Sequence, residues 1–127
     1  MYDFEYARPS TVPEAVELGR TEDARFLAGG MTLLPALKQR LASTALMIDL
    51  GAIEDLRGVV IEGDTLSIRA MTRHADVAAN SLVRQAIPAL SYLAGVIGDQ
   101  QVRHRGTIGG SVANNDPAAD YPAAVLG

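Results

Sequence analysis

The sequence predicts an α/β protein that consists of two consecutive parts. Residues 1–56 alternate short apolar runs with segments of helical spacing, in the order strand, helix, strand, helix, strand. After Gly58 the pattern changes to a hairpin followed by helices, so we predict one subdomain over residues 1–57 and a second over residues 58–127. The chain has 127 residues and is 48% hydrophobic, which is enough to bury a sizeable core.

The first part is predicted to contain three strands, two helices and a final helical turn. The strands are residues 2–6, 25–28 and 45–50, the helices are residues 11–18 and 32–41, and the turn is residues 51–58. Thr11 or Ser10 can cap the first helix, because a hydroxyl oxygen can accept a hydrogen bond from the first turn. Glu14 follows Thr11 at the spacing of a capping box.

Gly29 and Gly30 connect the second predicted strand to the second predicted helix. The first N–H groups of a helix have no partner within it and carry partial positive charge, so such a turn can receive an anionic phosphate. Thr32 is placed either to cap the helix or to bind the ligand directly. An ordinary tight turn would explain the same glycines. The segment matches neither the dinucleotide-binding nor the P-loop glycine motif.

The second part is predicted to begin with a hairpin and to continue with helices. Its strands are residues 59–61 and 65–70, and its helices are residues 75–79, 81–85 and 87–98. The last of these is apolar enough to be a core helix. Residues 100–105 are interpreted as a solvated basic loop, or as a loop whose Arg103 or Arg105 faces a cofactor phosphate or a partner surface. Residues 121–127 indicate the start of another apolar helix.

The segment from Gly106 to Asp120 is interpreted as a ligand-binding loop. Gly109 and Gly110 lack side chains, so their backbone N–H groups could approach a ligand closely. Hydroxyl, amide and carboxylate groups surround them, on Thr107, Ser111, Asn114, Asn115, Asp116 and Asp120. The carboxylates favour a ligand that also presents N–H or hydroxyl groups, as a flavin ring or a ribityl chain does. A glycine-rich surface turn before a helix start is the alternative.

Composition excludes several classes of function. A net charge of −4 and 5% aromatic residues argue against a nucleic-acid surface. Because the chain has no cysteine, it cannot hold disulfides or iron–sulfur clusters on its own thiolates. Without an apolar run of membrane-spanning length or a signal peptide pattern, we expect a cytoplasmic location. His74 and His104, without co-ligands at helical spacing, are interpreted as solvated or capping, and we predict no metal site and no catalytic residue.

Two segments taken together resemble a known family. They are residues 28–35 and 105–122, which contain Gly-Gly pairs that start at Gly29 and Gly109. The pair is similar to the signature of the medium, FAD-binding subunit of the molybdenum hydroxylases, the family of xanthine dehydrogenase and aerobic carbon monoxide dehydrogenase. Four shorter segments also fit the family pattern, namely residues 6–9, 47–50, 70–76 and 102–105.

The resemblance implies a two-subdomain FAD-binding fold of the non-Rossmann flavoprotein type, with FAD in the cleft between the subdomains. The second subdomain would be incomplete, because family members continue well beyond this length. The first glycine turn would receive the pyrophosphate through Leu27, Ala28, Gly29, Gly30, Met31 and Thr32. The second segment would bind the flavin side through Ile97, Gly98, Val102, Gly106, Thr107, Gly110, Ser111, Asn114 and Asp120. Met31 stands where many relatives carry a polar residue.

The resemblance also implies an oxidoreductase function in a hetero-oligomer. Electrons taken from a substrate at a partner's molybdenum centre would pass through iron–sulfur clusters to FAD and on to an acceptor. The partners would be a molybdenum-cofactor large subunit and an iron–sulfur small subunit. Two alternatives remain at this point: a nucleotide-binding module without redox turnover, and a scaffold that docks on partner subunits through the apolar helix over residues 87–97.

Overall fold

The structure, a computed structural model, describes residues 1–116 and 118–126. These residues form two compact units, Met1–Asp55 and a second unit that begins at Leu56. The division lies two residues before the boundary predicted from the sequence. The assignment of the two units as FAD-binding subdomains remains a prediction.

The first unit is a parallel three-stranded sheet whose strands alternate with helices, which confirms the predicted order. The strands are β1 (Glu5–Ala7), β2 (Ala24–Leu27) and β3 (Leu46–Asp49), and the helices are α1 (Val12–Leu18) and α2 (Leu33–Lys38). The spatial order is β1-β3-β2, so β3 is the central strand. Leu46, Met47 and Ile48 are consequently buried. Two 3-10 turns follow along the chain, at Leu50–Ala52 and Glu54–Leu56.

Thr11 caps α1, as the sequence predicted. Its Oγ1 accepts a hydrogen bond from the N–H of Glu14 at 3.3 Å. The Glu14 carboxylate in turn accepts the N–H of Ser10 at 3.1 Å. Thr32 occupies the equivalent position before α2, but its side chain makes no capping hydrogen bond. The two threonines therefore share the N-cap position but have different local roles.

The second unit begins with the predicted antiparallel hairpin and continues with six helices among the described residues. The strands are β4 (Val59–Glu62) and β5 (Thr65–Ile68), and the helices are α3 (His74–Ala79), α4 (Ser81–Ala86), α5 (Pro88–Val96), α6 (Gln100–Arg105), α7 (Ile108–Asn114) and α8 (Asp120–Leu126). The side chains of Val77, Val83, Ala94 and Tyr121 are fully buried and form its core. No helix over residues 1–116 and 118–126 is long and apolar enough to cross a membrane.

The apolar segment over residues 87–98 forms α5, which contributes Ala94 to the core of the second unit as predicted, while Tyr92 on the same helix is 75% exposed. The prediction for the next segment is wrong. Residues 100–105 form α6 rather than a loop. The Asp99 carboxylate starts this helix by accepting the N–H of Val102 at 2.8 Å, and such a cap offsets the basic, polar composition that suggested a loop.

Candidate cofactor site

The first glycine turn lies at the carboxyl edge of the parallel sheet. β2 ends at Leu27, which is in register with Asp49 on β3, and the chain then passes through Ala28, Gly29 and Gly30. Gly30 is buried and has a φ of +76°, in the left-handed region that favours glycine. Ligands of open α/β sheets bind beyond the carboxyl ends of the strands, so the position of this turn fits a binding role.

Side chains of the protein, rather than a bound ligand, limit the space around Gly30. A Cβ atom built on Gly30 would lie 2.8 Å from Leu34 Cδ1 and 3.3 Å from Leu27 Cδ1. The Gly30 carbonyl oxygen also accepts the N–H of Leu34 at 3.1 Å. The left-handed backbone at this position, together with these contacts, therefore favours glycine before any ligand is considered.

Met31 and Thr32 present exposed side chains where the turn enters α2. Met31 is 40% exposed, and the Thr32 hydroxyl makes no capping hydrogen bond. A hydroxyl group can donate and accept hydrogen bonds, so Thr32 fits a phosphate or a sugar hydroxyl. Among the predicted residues of the first turn, Thr32 is thus the one that offers a polar side chain to a ligand.

A polar cluster that the sequence analysis did not predict lies at the same edge of the sheet. Asp49 Oδ2 accepts the Tyr6 hydroxyl at 2.5 Å and lies 3.4 Å from Arg8 Nε, while Oδ1 accepts the N–H of Gly51 at 2.8 Å. The hydrogen bond to Asp49 raises the pKa of Tyr6. The available signal was an aspartate at the end of a buried strand, since the carboxyl ends of parallel strands share one edge.

The second glycine segment forms helix α7 rather than the predicted ligand loop. Thr107 caps the helix, and its Oγ1 accepts the N–H of Gly110 at 3.1 Å. The N–H of Gly109 donates to the Ala70 carbonyl at 2.8 Å, and a Cβ on Gly109 would lie 2.6 Å from Ala70 Cβ. The two backbone N–H groups expected to face a ligand are therefore used within the protein. Gly109 permits a close approach of two protein segments.

Helix α7 nevertheless carries polar groups on one face. Gly110, Ser111 and Asn114 lie together there, because residues three and four apart are neighbours on a helix surface. Ser111 is half-buried and Asn114 is exposed. Their hydroxyl and amide groups both donate and accept hydrogen bonds, which complements the carbonyl, N–H and hydroxyl groups of FAD. The residues present on this face therefore fit the cofactor that the resemblance implies.

Gly106 is buried against a histidine that the sequence analysis misjudged. Its carbonyl oxygen accepts the N–H of His74 at 3.1 Å, and a Cβ there would lie 2.6 Å from His74 Nε2. His74 is buried rather than solvated or capping, and its Nδ1 lies 3.3 Å from the buried Tyr121 hydroxyl. Burial lowers the pKa of His74. Burial, and then the Asp120 carboxylate, raise the pKa of Tyr121.

The remaining predicted residues lie in a turn and at a helix start. Ile97 and Gly98 connect α5 to α6, and Gly98 has a φ of +49°. A Cβ on Gly98 would lie 3.2 Å from Val102 Cβ, so Val102 packs directly beneath the turn. Asp120 is exposed at the beginning of α8. Pro117, within the predicted ligand loop, lies outside the described residues.

An open cleft of about 260 Å³ lies in a different region of the second unit. Residues 57–59 and 71–73 line it, together with Asp76 and Asn80. These residues are not among those that the resemblance assigns to the cofactor.

Comparison with known proteins identifies relatives over nearly the whole chain. Residues 2–127 match the family described as the FAD binding domain in molybdopterin dehydrogenase. The chain is 46% identical over 122 residues to the carbon monoxide dehydrogenase medium chain of Hydrogenophaga pseudoflava, a match that covers 94% of this chain and 42% of that protein. It is 38% identical over 121 residues to the glyceraldehyde dehydrogenase medium chain of Sulfolobus acidocaldarius, with 94% and 43% covered.

Solved structures give the same result for the fold. The chain superposes with a TM-score of 0.94, at 45% identity, on a chain of the Hydrogenophaga pseudoflava carbon monoxide dehydrogenase that lacks the Mo-pyranopterin moiety, and the match covers 97% of this chain and 44% of that chain. The chain thus spans less than half the length of these relatives. The predicted resemblance, mixed helix and strand fold and FAD cofactor are confirmed. The chain belongs to the family of FAD-binding domains found in molybdopterin dehydrogenases.

Proposed function

We propose that the protein is the FAD-binding medium subunit of a molybdenum-containing hydroxylase or dehydrogenase. The observation that carries the proposal is the family match over residues 2–127, which includes both Gly-Gly segments in the expected order. Similar proteins bear the names carbon monoxide dehydrogenase medium chain and xanthine dehydrogenase FAD-binding subunit. We infer the same assembly here, with a molybdenum-cofactor large subunit and an iron–sulfur small subunit as partners.

FAD, when bound, supplies reversible electron transfer, which we infer runs from the iron–sulfur clusters of a partner to an acceptor. These 127 residues contain no cysteine, so they hold no thiolate-bound cluster themselves, which is consistent with clusters on a partner subunit. The contribution of this chain is to bind and orient the cofactor, and no side chain is assigned as a general acid or base.

Two groups of residues would hold FAD. In the first unit, the glycine turn at the carboxyl edge would bind the pyrophosphate, with the Thr32 hydroxyl as its side-chain contact. In the second unit, the polar face of α7 would bind the flavin side through Ser111 and Asn114. Both groups combine exposed or half-buried polar atoms with a backbone that internal hydrogen bonds already hold in place, which reduces the entropy lost on binding.

The two threonines that precede α1 and α2 provide a matched test. Thr32→Val removes a hydroxyl that makes no capping bond, so we expect FAD binding to weaken about tenfold with little change in stability. Thr11→Val removes the α1 cap, so we expect the free energy of unfolding to fall by about 0.5–2 kcal/mol with unchanged FAD affinity.

The measurements are FAD titrations and urea unfolding of the full-length protein and both variants. Failure of the wild-type protein to bind FAD would contradict the proposed function. Equal FAD affinity in the wild-type and Thr32→Val proteins would contradict the role of Thr32 alone. Reconstitution with the partner subunits, with flavin reduction followed after substrate is added, tests the inferred direction of electron flow.

A further inference from the structure

The turn between α5 and α6 is held by the side chain of Arg103. Arg103 Nη1 lies 3.1 Å from the Ile97 carbonyl oxygen and 3.1 Å from the Gly98 carbonyl oxygen. One nitrogen of the guanidinium group thus donates to two successive carbonyl groups. Hydrogen bonds from a charged donor are stronger than those between neutral groups, so this contact restricts the turn more than a backbone hydrogen bond would.

Two further contacts fix the same turn from the side of α6. The Asp99 carboxylate accepts the N–H of Val102 at 2.8 Å, which anchors the end of the turn to the start of the helix. The Val102 side chain packs beneath Gly98, whose φ of +49° favours glycine and where a Cβ would lie 3.2 Å from Val102 Cβ. The contacts of these three side chains therefore hold Ile97 and Gly98 in one conformation.

We propose that Arg103 is a positioning residue for cofactor binding, one that presents the Ile97–Gly98 turn to FAD through its two hydrogen bonds. The inference rests on the proposed function, because Ile97, Gly98 and Val102 are among the residues that the family resemblance assigns to the cofactor. Arg103 acts through the turn and is not itself assigned a contact with FAD.

Loss of Arg103 should affect binding more than folding. Gly98 is exposed and Ile97 is half-buried, so water can replace the guanidinium donor at both carbonyl groups in the folded protein. The turn would then remain folded but sample more conformations, and FAD would have to order it on binding. A loss of FAD affinity at unchanged stability would therefore indicate a positioning role for Arg103. In a purely structural role, stability would fall and the FAD affinity of the folded protein would not.

Arg105 offers a matched control on the same helix. Arg103→Met removes the donor and keeps a long side chain, and Arg105→Met removes an equal charge from an exposed position two residues later. We expect Arg103→Met to raise the FAD dissociation constant about tenfold relative to Arg105→Met, with similar melting temperatures for the two apo proteins. Arg103→Lys, which keeps a charged donor, should retain more affinity than Arg103→Met.

The experiment uses the full-length protein, with FAD titration, apo melting curves and backbone hydrogen exchange over residues 97–100. Faster exchange there in apo Arg103→Met, together with weaker FAD binding, supports the inference. It is overturned if FAD binds Arg103→Met and Arg105→Met equally, or if exchange over residues 97–100 is unchanged. If Arg103→Met does not fold, the same comparison of Arg103→Lys with Arg105→Lys decides. Wild-type protein that does not bind FAD would overturn the proposed function itself.

Discussion

Glycines that look equivalent in the sequence are required for different physical reasons. Gly30 has a left-handed backbone and is crowded by Leu34, whereas Gly109 lies within α7 and is pressed against Ala70. A valine at Gly30 would therefore strain the protein before any cofactor is bound, so its effect on FAD binding would not be separable from its effect on folding. Thr32, with its exposed hydroxyl, reports on binding more directly.

Two helical glycines should respond to alanine with opposite sign. A Cβ at Gly109 would lie 2.7 Å from the Ala70 carbonyl oxygen, so Gly109→Ala should lower the free energy of unfolding by about 1–3 kcal/mol. A Cβ at Gly95 in α5 would lie 3.8 Å from Ala78 Cβ, so Gly95→Ala should raise it by about 0.5–1 kcal/mol through helix propensity. Urea unfolding of both variants measures the difference. Equal free energies of unfolding for the two variants would show that the contact between Gly109 and Ala70 has room for a methyl group.

Substitution of Asp120 distinguishes a direct contact with the cofactor from a charge that only stabilises the start of α8. If the exposed carboxylate at the start of α8 accepts hydrogen bonds from FAD, Asp120→Ala should weaken binding about ten- to hundredfold. A charge that interacts only with the helix dipole would instead contribute about 0.3–1 kcal/mol to stability and nothing to affinity. FAD titrations and apo melting curves distinguish the two. Asp64→Ala, which removes an exposed charge in the β4–β5 turn, serves as the control.

At the scale of helices and strands, capping residues explain why residues 100–105 and 108–114 form helices where loops were predicted. Residues 100–114 contain five glycine, serine or threonine residues before Val112 and two arginines, a composition typical of loops. Asp99 and Thr107 each accept an N–H three residues later, and these two caps start α6 and α7. A search for aspartate or threonine at N-cap spacing would have found both helices.

The contact between α3 and α8 should make stability depend on pH. Burial lowers the pKa of His74 in the folded protein below the value of about 6.5 expected in the unfolded chain. Between these two pKa values the unfolded state binds more protons than the folded state. The contribution of His74 to the free energy of unfolding should therefore be fully present above about pH 6.5 and be lost as the pH decreases below that value. Urea unfolding between about pH 5 and pH 8 measures this slope.

His74→Gln should flatten that slope, whatever its effect on stability at neutral pH. His104 is exposed, with its Nδ1 2.6 Å from the Gln100 carbonyl oxygen, and His104→Gln is the control that should leave the slope in place. A His74→Gln protein with the wild-type pH dependence would show that another group is responsible.

At the scale of the whole chain, each compact unit has its own buried side chains. Ile48 is fully buried in the first unit and Val83 in the second. Ile48→Val should cost about 0.5–1.5 kcal/mol, and it should speed hydrogen exchange mainly over residues 1–55. Val83→Ala should speed exchange mainly from residue 56 onward. Equal acceleration along the whole chain in both variants would show that the units unfold together.

The sequence by itself determined the features that depend on short-range patterns. These are the alternation of strands and helices in the first unit, the hairpin, the Thr11 cap, and the two Gly-Gly segments that identify the family. Hydrophobic period, capping spacing and motif order are all local, so they can be read without knowing which segments meet.

Only the tertiary structure decided how those segments use their polar groups. It pairs the Gly109 N–H with Ala70, buries His74 against Tyr121, joins Tyr6 and Arg8 to Asp49, and places Arg103 on the turn after α5. All but the last of these contacts join residues far apart in the sequence, and the last depends on a helix whose cap was not recognised. Contacts between distant segments depend on packing, which periodicity does not encode, and so the sequence located the two glycine segments but not the atoms that remain free for a ligand.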